Sequence, residues 1–169
     1  WFAEELTGKT QEGIMDRWLL GYRNARDEGE RLGIAVLLGA EVRFDGSIED
    51  FLVYGLDEAF LKEAPLLNTL SLEAFVALKP AHALVYQAHP FRPNITQAPP
   101  CLLFGAEVYN GGTDCEANGR ARRWAEENGL AAISGSGFHN RNQLARGGID
   151  TDVDVQGVND FLHVLMEKR

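Results

Sequence analysis

Apolar residues between Thr10 and Leu32 recur at intervals of three and four positions, which is the spacing of one face of an α-helix. Thr10 is suited to cap the first turn of this helix, and Gly33 is suited to end it. Shorter helices are predicted where a similar pattern returns, at residues 57–62, 71–79, 116–128 and 156–168. Helical segments are therefore expected along the whole chain, separated by apolar runs of a different kind.

Five apolar runs lie between these helices and predict β-strands, at residues 34–44, 51–56, 83–88, 101–109 and 130–134. Asp45-Gly46 begins a turn after the first run, so the first two strands are expected to form a hairpin. Because the strands are apolar throughout and take turns with helices, the pattern predicts a mostly parallel sheet that is covered on both faces. The expected class is α/β.

Length, charge and cysteine content narrow the class of protein. A chain of 169 residues, 45% of them hydrophobic, suits a single domain over residues 1–169. The net charge of −9 argues against a nucleic-acid partner, because phosphate binding requires clustered Lys and Arg. No apolar run approaches the roughly 18 residues of a membrane span, and the two cysteines give no disulfide framework. The sequence therefore predicts a cytoplasmic protein with no membrane or nucleic-acid partner.

Ionisable and amide side chains stand at the carboxyl ends of four predicted strands: Glu41, His89 with Arg92, Glu107 with Asn110, and His139. In parallel α/β architectures this rim holds the ligand site. Burying several carboxylates and imidazoles together is costly unless they share a cation. Oxygen and nitrogen ligands without thiolate suit Zn, Mn or Fe. His82 precedes its strand and His163 lies on the last helix, so neither is expected to be a ligand.

The strand-end motifs resemble those of the polymerase and histidinol phosphatase (PHP) family of metal-dependent phosphoesterases. The matching pieces are "GAE" at 39–41, "AHPFR" at 88–92, "AEVYNG" at 106–111, "GSGFH" at 135–139 and "RGGI" at 146–149. The resemblance implies a distorted seven-stranded β/α barrel with two or three divalent ions at the carboxyl rim. It also implies a hydrolase that activates water on a metal and acts on a small phosphorylated substrate.

The same resemblance suggests roles for individual residues. Glu41 would be a metal-bridging carboxylate, and His89 and His139 would be metal ligands. Arg92 is suited to clamp a phosphate in a bidentate fork, although a salt bridge at a loop edge is an equally good interpretation. Glu107 and Asn110 would line the site or orient the metal-bound imidazoles.

Two departures from the family pattern bear on activity. Gly137 stands where the family has a metal-binding Asp, and the opening His-x-His strand is missing, since no histidine precedes His82. The chain also begins at Trp1 without Met, which favours a missing N-terminal βαβ unit. Either the chain is a fragment of an active phosphoesterase, or it is a degenerate, non-catalytic scaffold or ligand-binding domain.

These departures lead to three expectations. Metal binding should be weak and limited to one ion. Gly137→Asp should tighten it, provided that the backbone at this position does not require a positive φ. The strand of Glu41 or its neighbour should have an open edge, completed by a second copy of the chain in a homo-oligomer or by residues outside this sequence.

Overall fold

The computed structural model describes residues 10–167. Helix α1 spans Gln11–Leu32 and begins as predicted, because the Thr10 side chain accepts a hydrogen bond from the Gly13 N–H. It ends at Gly33, whose φ of 71° is left-handed, the usual conformation after a helix. The other α-helices are α2 Glu58–Glu63, α3 Leu72–Leu78, α4 Cys115–Glu127 and α5 Val158–Glu167. None of the helices in this part of the chain is both long enough and apolar enough to cross a membrane.

The described strands form one five-stranded sheet in the order β1-β2-β3-β4-β5. Their bounds are β1 Gly39–Val42, β2 Phe51–Tyr54, β3 Leu84–Gln87, β4 Gly105–Asn110 and β5 Ala131–Gly135. The predicted hairpin is confirmed, since β1 and β2 pair antiparallel. β2 and β3 are also antiparallel, whereas β3–β4 and β4–β5 are parallel. The α/β class is confirmed, but the sheet is mixed and not mostly parallel.

Two strands, β1 and β4, begin well after the start of the apolar runs that predict them. β1 begins at Gly39 and not at Ile34, because its partner β2 ends at Tyr54 and the next residue, Gly55, has a φ of 91° that leaves the strand conformation. The predicted strand at 101–109 begins at Gly105, and residues 100–102 form a 3₁₀ turn that opens with Pro100. Proline has no backbone N–H, so Pro100 cannot donate a hydrogen bond to a neighbouring strand.

Helices cover both faces of the sheet at its centre, as predicted. On one face, Leu19 of α1, Leu61 of α2 and Phe75 of α3 share a buried cluster with strand residues such as Val53 and Val85. On the other face, α5 packs its leucines against β3 and β5; the buried residues of this cluster are Leu84, Tyr86, Ala131, Ile133, Leu162 and Leu165. The central strands are therefore packed against helices on both faces.

The direction of each strand decides which residues meet at one rim. Since β1 is antiparallel to β2 and β2 is antiparallel to β3, β1 runs in the same direction as β3, β4 and β5. Four carboxyl ends and the amino end of β2 therefore lie on one side. Within residues 10–167 the sheet is open, with β1 and β5 as edges, so an open edge exists on the strand of Glu41. These five strands do not close into a barrel.

Candidate metal centre

Three side chains from neighbouring strands form a possible metal-binding group at this rim: Glu41, Asp50 and His89. Glu41 lies near the carboxyl end of β1, Asp50 directly precedes β2, and His89 follows β3. His89 Nε2 lies 3.6 Å from Glu41 Oε1 and 3.8 Å from Asp50 Oδ2. One ligand atom from each residue lies within 4.8 Å of the other two. The predicted convergence of Glu41 and His89 is therefore present in the structure.

Asp50 is the member of this group that sequence reasoning missed. It stands at the amino end of its strand, whereas ligands were expected at the carboxyl ends of strands in a mostly parallel sheet. In an antiparallel hairpin the second strand begins on the side where the first one ends, so the residue before β2 joins the rim. The predicted hairpin was the available signal, because it already implied this reversal.

Two arginines flank Asp50. Arg43 makes a bidentate pair with it, through Nε to Oδ1 at 2.9 Å and Nη2 to Oδ2 at 3.0 Å. Arg92 Nη2 lies 4.0 Å from Asp50 Oδ2, and its side chain is about half exposed. The two acidic residues of the group, Glu41 and Asp50, are therefore matched in number by two guanidinium groups, one firmly bonded and one at longer range.

The charges at the rim shift the pKa of Glu41. The His89 imidazole holds the pKa of the Glu41 carboxyl below its ordinary value, against the opposing effect of burial, and His139 and Arg92 add smaller electrostatic contributions. A carboxylate that stays ionised is the form in which an acidic residue binds a cation.

Glu107 and Asn110 lie behind the group, on β4. Glu107 Oε2 accepts a hydrogen bond from the His89 backbone N–H at 2.9 Å, and Asn110 Nδ2 donates to both Glu107 oxygens at 3.0 Å. Burial raises the pKa of the Glu107 carboxyl, while Asn110 and the His89 N–H oppose that effect. Neither residue belongs to the three-residue group.

Gly137 has a left-handed backbone and tight surroundings, which decide whether the expectation for this position applies. Its φ is 59°, and a Cβ built on it would lie 2.3 Å from Asn110 Oδ1 and 2.8 Å from the Gly112 nitrogen. The condition attached to Gly137→Asp is therefore not met. The position is not a simple gap left by a lost carboxylate, because the Asn110 side chain occupies the adjoining space.

The predicted ligand His139 lines the same open cleft as the group but is not part of it. The cleft has a volume of about 920 Å³ and is also lined by Arg92, Tyr54 and the exposed Phe138. His82 and His163, which were not expected to be ligands, are not among its lining residues. The structure thus brings Glu41 and His89 together directly, with His139 and Arg92 on the walls around them.

The spacing of the group suits a single divalent ion. Two ligand atoms about 2.1 Å from a common ion in tetrahedral geometry are about 3.4 Å apart. The distances from His89 Nε2 to the carboxylate oxygens of Glu41 and Asp50, 3.6 and 3.8 Å, are close to this value. Two carboxylates and one imidazole are ligands that Zn, Mn and Fe accept. His89 Nδ1 is buried and has no hydrogen-bond partner among the described residues. The orientation of this imidazole therefore depends on the backbone that carries it.

Comparisons with known proteins agree with the predicted family. The family profile described as PHP-associated matches residues 116–169. A crystal structure of a candidate metal-dependent phosphoesterase from Bifidobacterium adolescentis ATCC 15703 has a similar fold, with a TM-score of 0.53 and 14% identity over 88% of this chain and 82% of its own. The profile match concerns the last part of the chain and the structural likeness shows the fold, and both agree with the resemblance of the strand-end motifs.

A second solved structure, PsfC from Pseudomonas syringae PB-5123, also shares the fold. It is 21% identical over 67% of this chain, with a TM-score of 0.56, and the chain spans about half, 48%, of its length. No curated protein matches the chain at a significant level. At these identities the two structures establish the fold, and activity has to be inferred from the site itself.

Proposed function

We propose that this chain is a metal-dependent phosphoesterase domain that acts on a small phosphate ester. The observation that supports it most directly is the convergence of Glu41, Asp50 and His89 at the mouth of one cleft. These residues would hold a divalent ion of the Zn, Mn or Fe type. When bound, such an ion polarises a phosphoryl oxygen and lowers the pKa of its water.

The residues around the group are suited to bind the phosphate. Arg92 is about half exposed, and its one ion pair with the described residues, to Asp50, is long at 4.0 Å, so its guanidinium is available to an anion in the cleft. Arg43 is already committed to Asp50 and contributes charge from where it stands. His139, which also lines the cleft, is proposed as a further ligand or as a donor to the phosphate.

Charge balance favours a metal and a phosphate together. Glu41 and Asp50 carry two negative charges, and Arg43 and Arg92 carry two positive charges. A divalent cation alone would therefore give these four residues an excess positive charge, although Asp45 and Glu107 add further carboxyl groups to the lining of the cleft. A phosphate dianion restores the balance, so metal and phosphate are expected to bind more tightly together than separately.

The proposed site holds one ion, and weakly. Three residues form the group, and the position of the family's Asp is a glycine that the surrounding backbone requires. A full PHP barrel remains part of the proposal, with the strands beyond the open edge of β1 supplied by residues outside this sequence or by a second copy of the chain.

The alternative function is a non-catalytic ligand-binding or scaffold domain. The bidentate pair between Arg43 and Asp50 favours it, because a guanidinium already compensates the charge that a metal would otherwise neutralise. In that case the rim would bind an anionic ligand through Arg92 and the histidines without requiring a metal ion.

Calorimetric titration with Mn or Zn, followed by hydrolysis of a generic aryl phosphate, distinguishes the two functions. Asp50→Asn and His89→Ala should each weaken metal binding tenfold or more, a loss of about 1.4 kcal/mol or more. His163→Ala removes an exposed imidazole on α5 and serves as the control. Unchanged metal affinity in both site variants would refute the proposed centre. Metal binding without hydrolysis would favour the scaffold.

A further inference from the structure

His89 has an unusual backbone for a residue that carries a buried imidazole. Its φ is 29°, in the positive range that non-glycine residues rarely adopt, and 8% of the residue is exposed. Such a conformation persists only where the surrounding structure holds it. A relaxed backbone at this position would swing the imidazole away from Glu41 and Asp50.

The described contacts that hold this backbone come from both sides. The His89 carbonyl accepts from the Arg92 N–H at 3.0 Å, and the preceding N–H, of Ala88, donates to the Asp50 carbonyl at 2.9 Å. The N–H of His89 itself donates to Glu107 Oε2. Among the described residues, Glu107 is therefore the residue of β4 that accepts a hydrogen bond from the backbone of His89.

Glu107 is held in turn by Asn110, and Asn110 by helix α4. The Asn110 backbone N–H donates to Asn118 Oδ1 at 3.0 Å, and Asn118 Nδ2 donates back to the Asn110 carbonyl at 3.1 Å. The Asn110 side-chain oxygen accepts from the Gly112 N–H at 2.8 Å. This assignment leaves the Asn110 amide nitrogen facing Glu107, so both carboxylate oxygens have a donor.

Two glycines beyond β4 leave the space that this pair needs. A Cβ at Gly135 would lie 2.7 Å from Glu107 Oε1, and a Cβ at Gly137 would lie 2.3 Å from Asn110 Oδ1. Because the two glycines of the segment "GSG" at 135–137 have no side chains, they leave room for the buried side chains of Glu107 and Asn110. The Glu107–Asn110 pair is built into the fold from both β4 and the end of β5.

We infer that Glu107 and Asn110 are a positioning pair, which fixes His89 in its left-handed conformation and so aims its imidazole at the metal group. This inference rests on the proposed metal centre. Glu107 acts through the backbone of His89 and does not bind the ion. What it supplies is an acceptor at the right place, and the charge of its carboxylate is not required.

A swap of the two functional groups tests this directly. Glu107→Gln replaces one of the two acceptors with an amide nitrogen, which faces the Asn110 amide nitrogen whichever way the new amide is turned, so two donors face each other and the pair is disrupted. The double variant Glu107→Gln/Asn110→Asp exchanges amide and carboxylate with atoms of the same size. The new amide nitrogen at position 107 can then donate to the new carboxylate at position 110, while the amide oxygen at 107 accepts from the His89 N–H and the carboxylate at 110 accepts from the Gly112 N–H; only the second bond within the pair is not restored. Glu127→Gln, on the exposed side of α4, is the matched control.

Mn or Zn affinity is measured by calorimetry on chains whose folding is checked by circular dichroism. We expect Glu107→Gln to weaken metal binding by about 10-fold to 100-fold, as for loss of a group that orients a ligand. The double variant should return to within about threefold of the parent. A double variant as weak as the single one would overturn the inference, because the carboxylate at 107 itself would then be required. So would an unaffected single variant.

A second readout keeps the inference separate from the proposed function. The ring C–H resonances of His89 report its orientation without metal. They should move in Glu107→Gln and return to the parental positions in the double variant. If the parent binds no metal, the proposed centre fails while this comparison still decides the positioning role. Should Glu107→Gln not fold, Asn110→Ala, which removes the donor to Glu107 together with the acceptor for the Gly112 N–H, is assayed in the same way, and an unmoved His89 resonance there overturns the inference.

Discussion

Substituting Gly137 with alanine should destabilise the fold more than the same change at another left-handed glycine. A non-glycine residue in the left-handed region costs about 1–2 kcal/mol. At Gly137 the new Cβ also falls 2.3 Å from Asn110 Oδ1 and 2.8 Å from the Gly112 nitrogen, well inside normal contact. Overpacking of this kind adds about 1–3 kcal/mol. The expected loss in unfolding free energy is therefore about 2–5 kcal/mol.

Gly129 provides the matched control. Its φ is 63°, nearly that of Gly137, yet a Cβ there meets no heavy atom within 4 Å. Gly129→Ala should therefore lose only the conformational part, about 1–2 kcal/mol. Urea unfolding followed by tryptophan fluorescence measures both variants. Equal losses at the two positions would refute the claim that Asn110 fills the space beside Gly137.

Three further predictions test other parts of the molecule. Inorganic phosphate should tighten Mn binding in calorimetry, and Arg92→Gln should remove most of that effect; metal affinity independent of phosphate would contradict the charge balance proposed for the cleft. Lys62 and Arg23 hold the pKa of Asp16 below its ordinary value, so the ionised Asp16 carboxylate stabilises the docking of α1 at pH values above that ordinary pKa. In chemical unfolding, Asp16→Asn should therefore be less stable than the parent near neutral pH, and the difference should disappear as the pH falls through the lowered pKa. A difference that persists in acid would show that charge is not its cause. Light scattering should detect a dimer if a second copy completes the edge at β1, and a monomer at high concentration would rule that out.

Local sequence signals predicted much of this fold. Thr10 and Gly33 delimit α1 because capping depends on a few adjacent residues. Glu41 and His89 were placed at one rim from the rule that ligands gather at strand carboxyl ends. Asp50 was missed because its place depends on the antiparallel direction of β2, which is a property of pairing and not of the residues around it.

The environment of Gly137 could not be derived from sequence for a related reason. Its clash partner, Asn110, lies 27 positions earlier on another strand, and both are brought together by the register of β4 with β5. A motif compares a position with the same position in other chains. It carries no information about which side chain has moved into the space that a missing one leaves.

The open edge at β1 ties any ion at the rim to the integrity of the sheet. Glu41, Asp50 and His89 come from three consecutive strands, and the outermost of these is held in the described sheet by β2 alone. An edge hairpin opens more readily than a central strand, and every such opening would take Glu41 away from the other two ligands. An ion bound to all three would suppress the opening by mass action. The backbone amides of β1 would then exchange their hydrogens more slowly when the metal is bound than when it is absent.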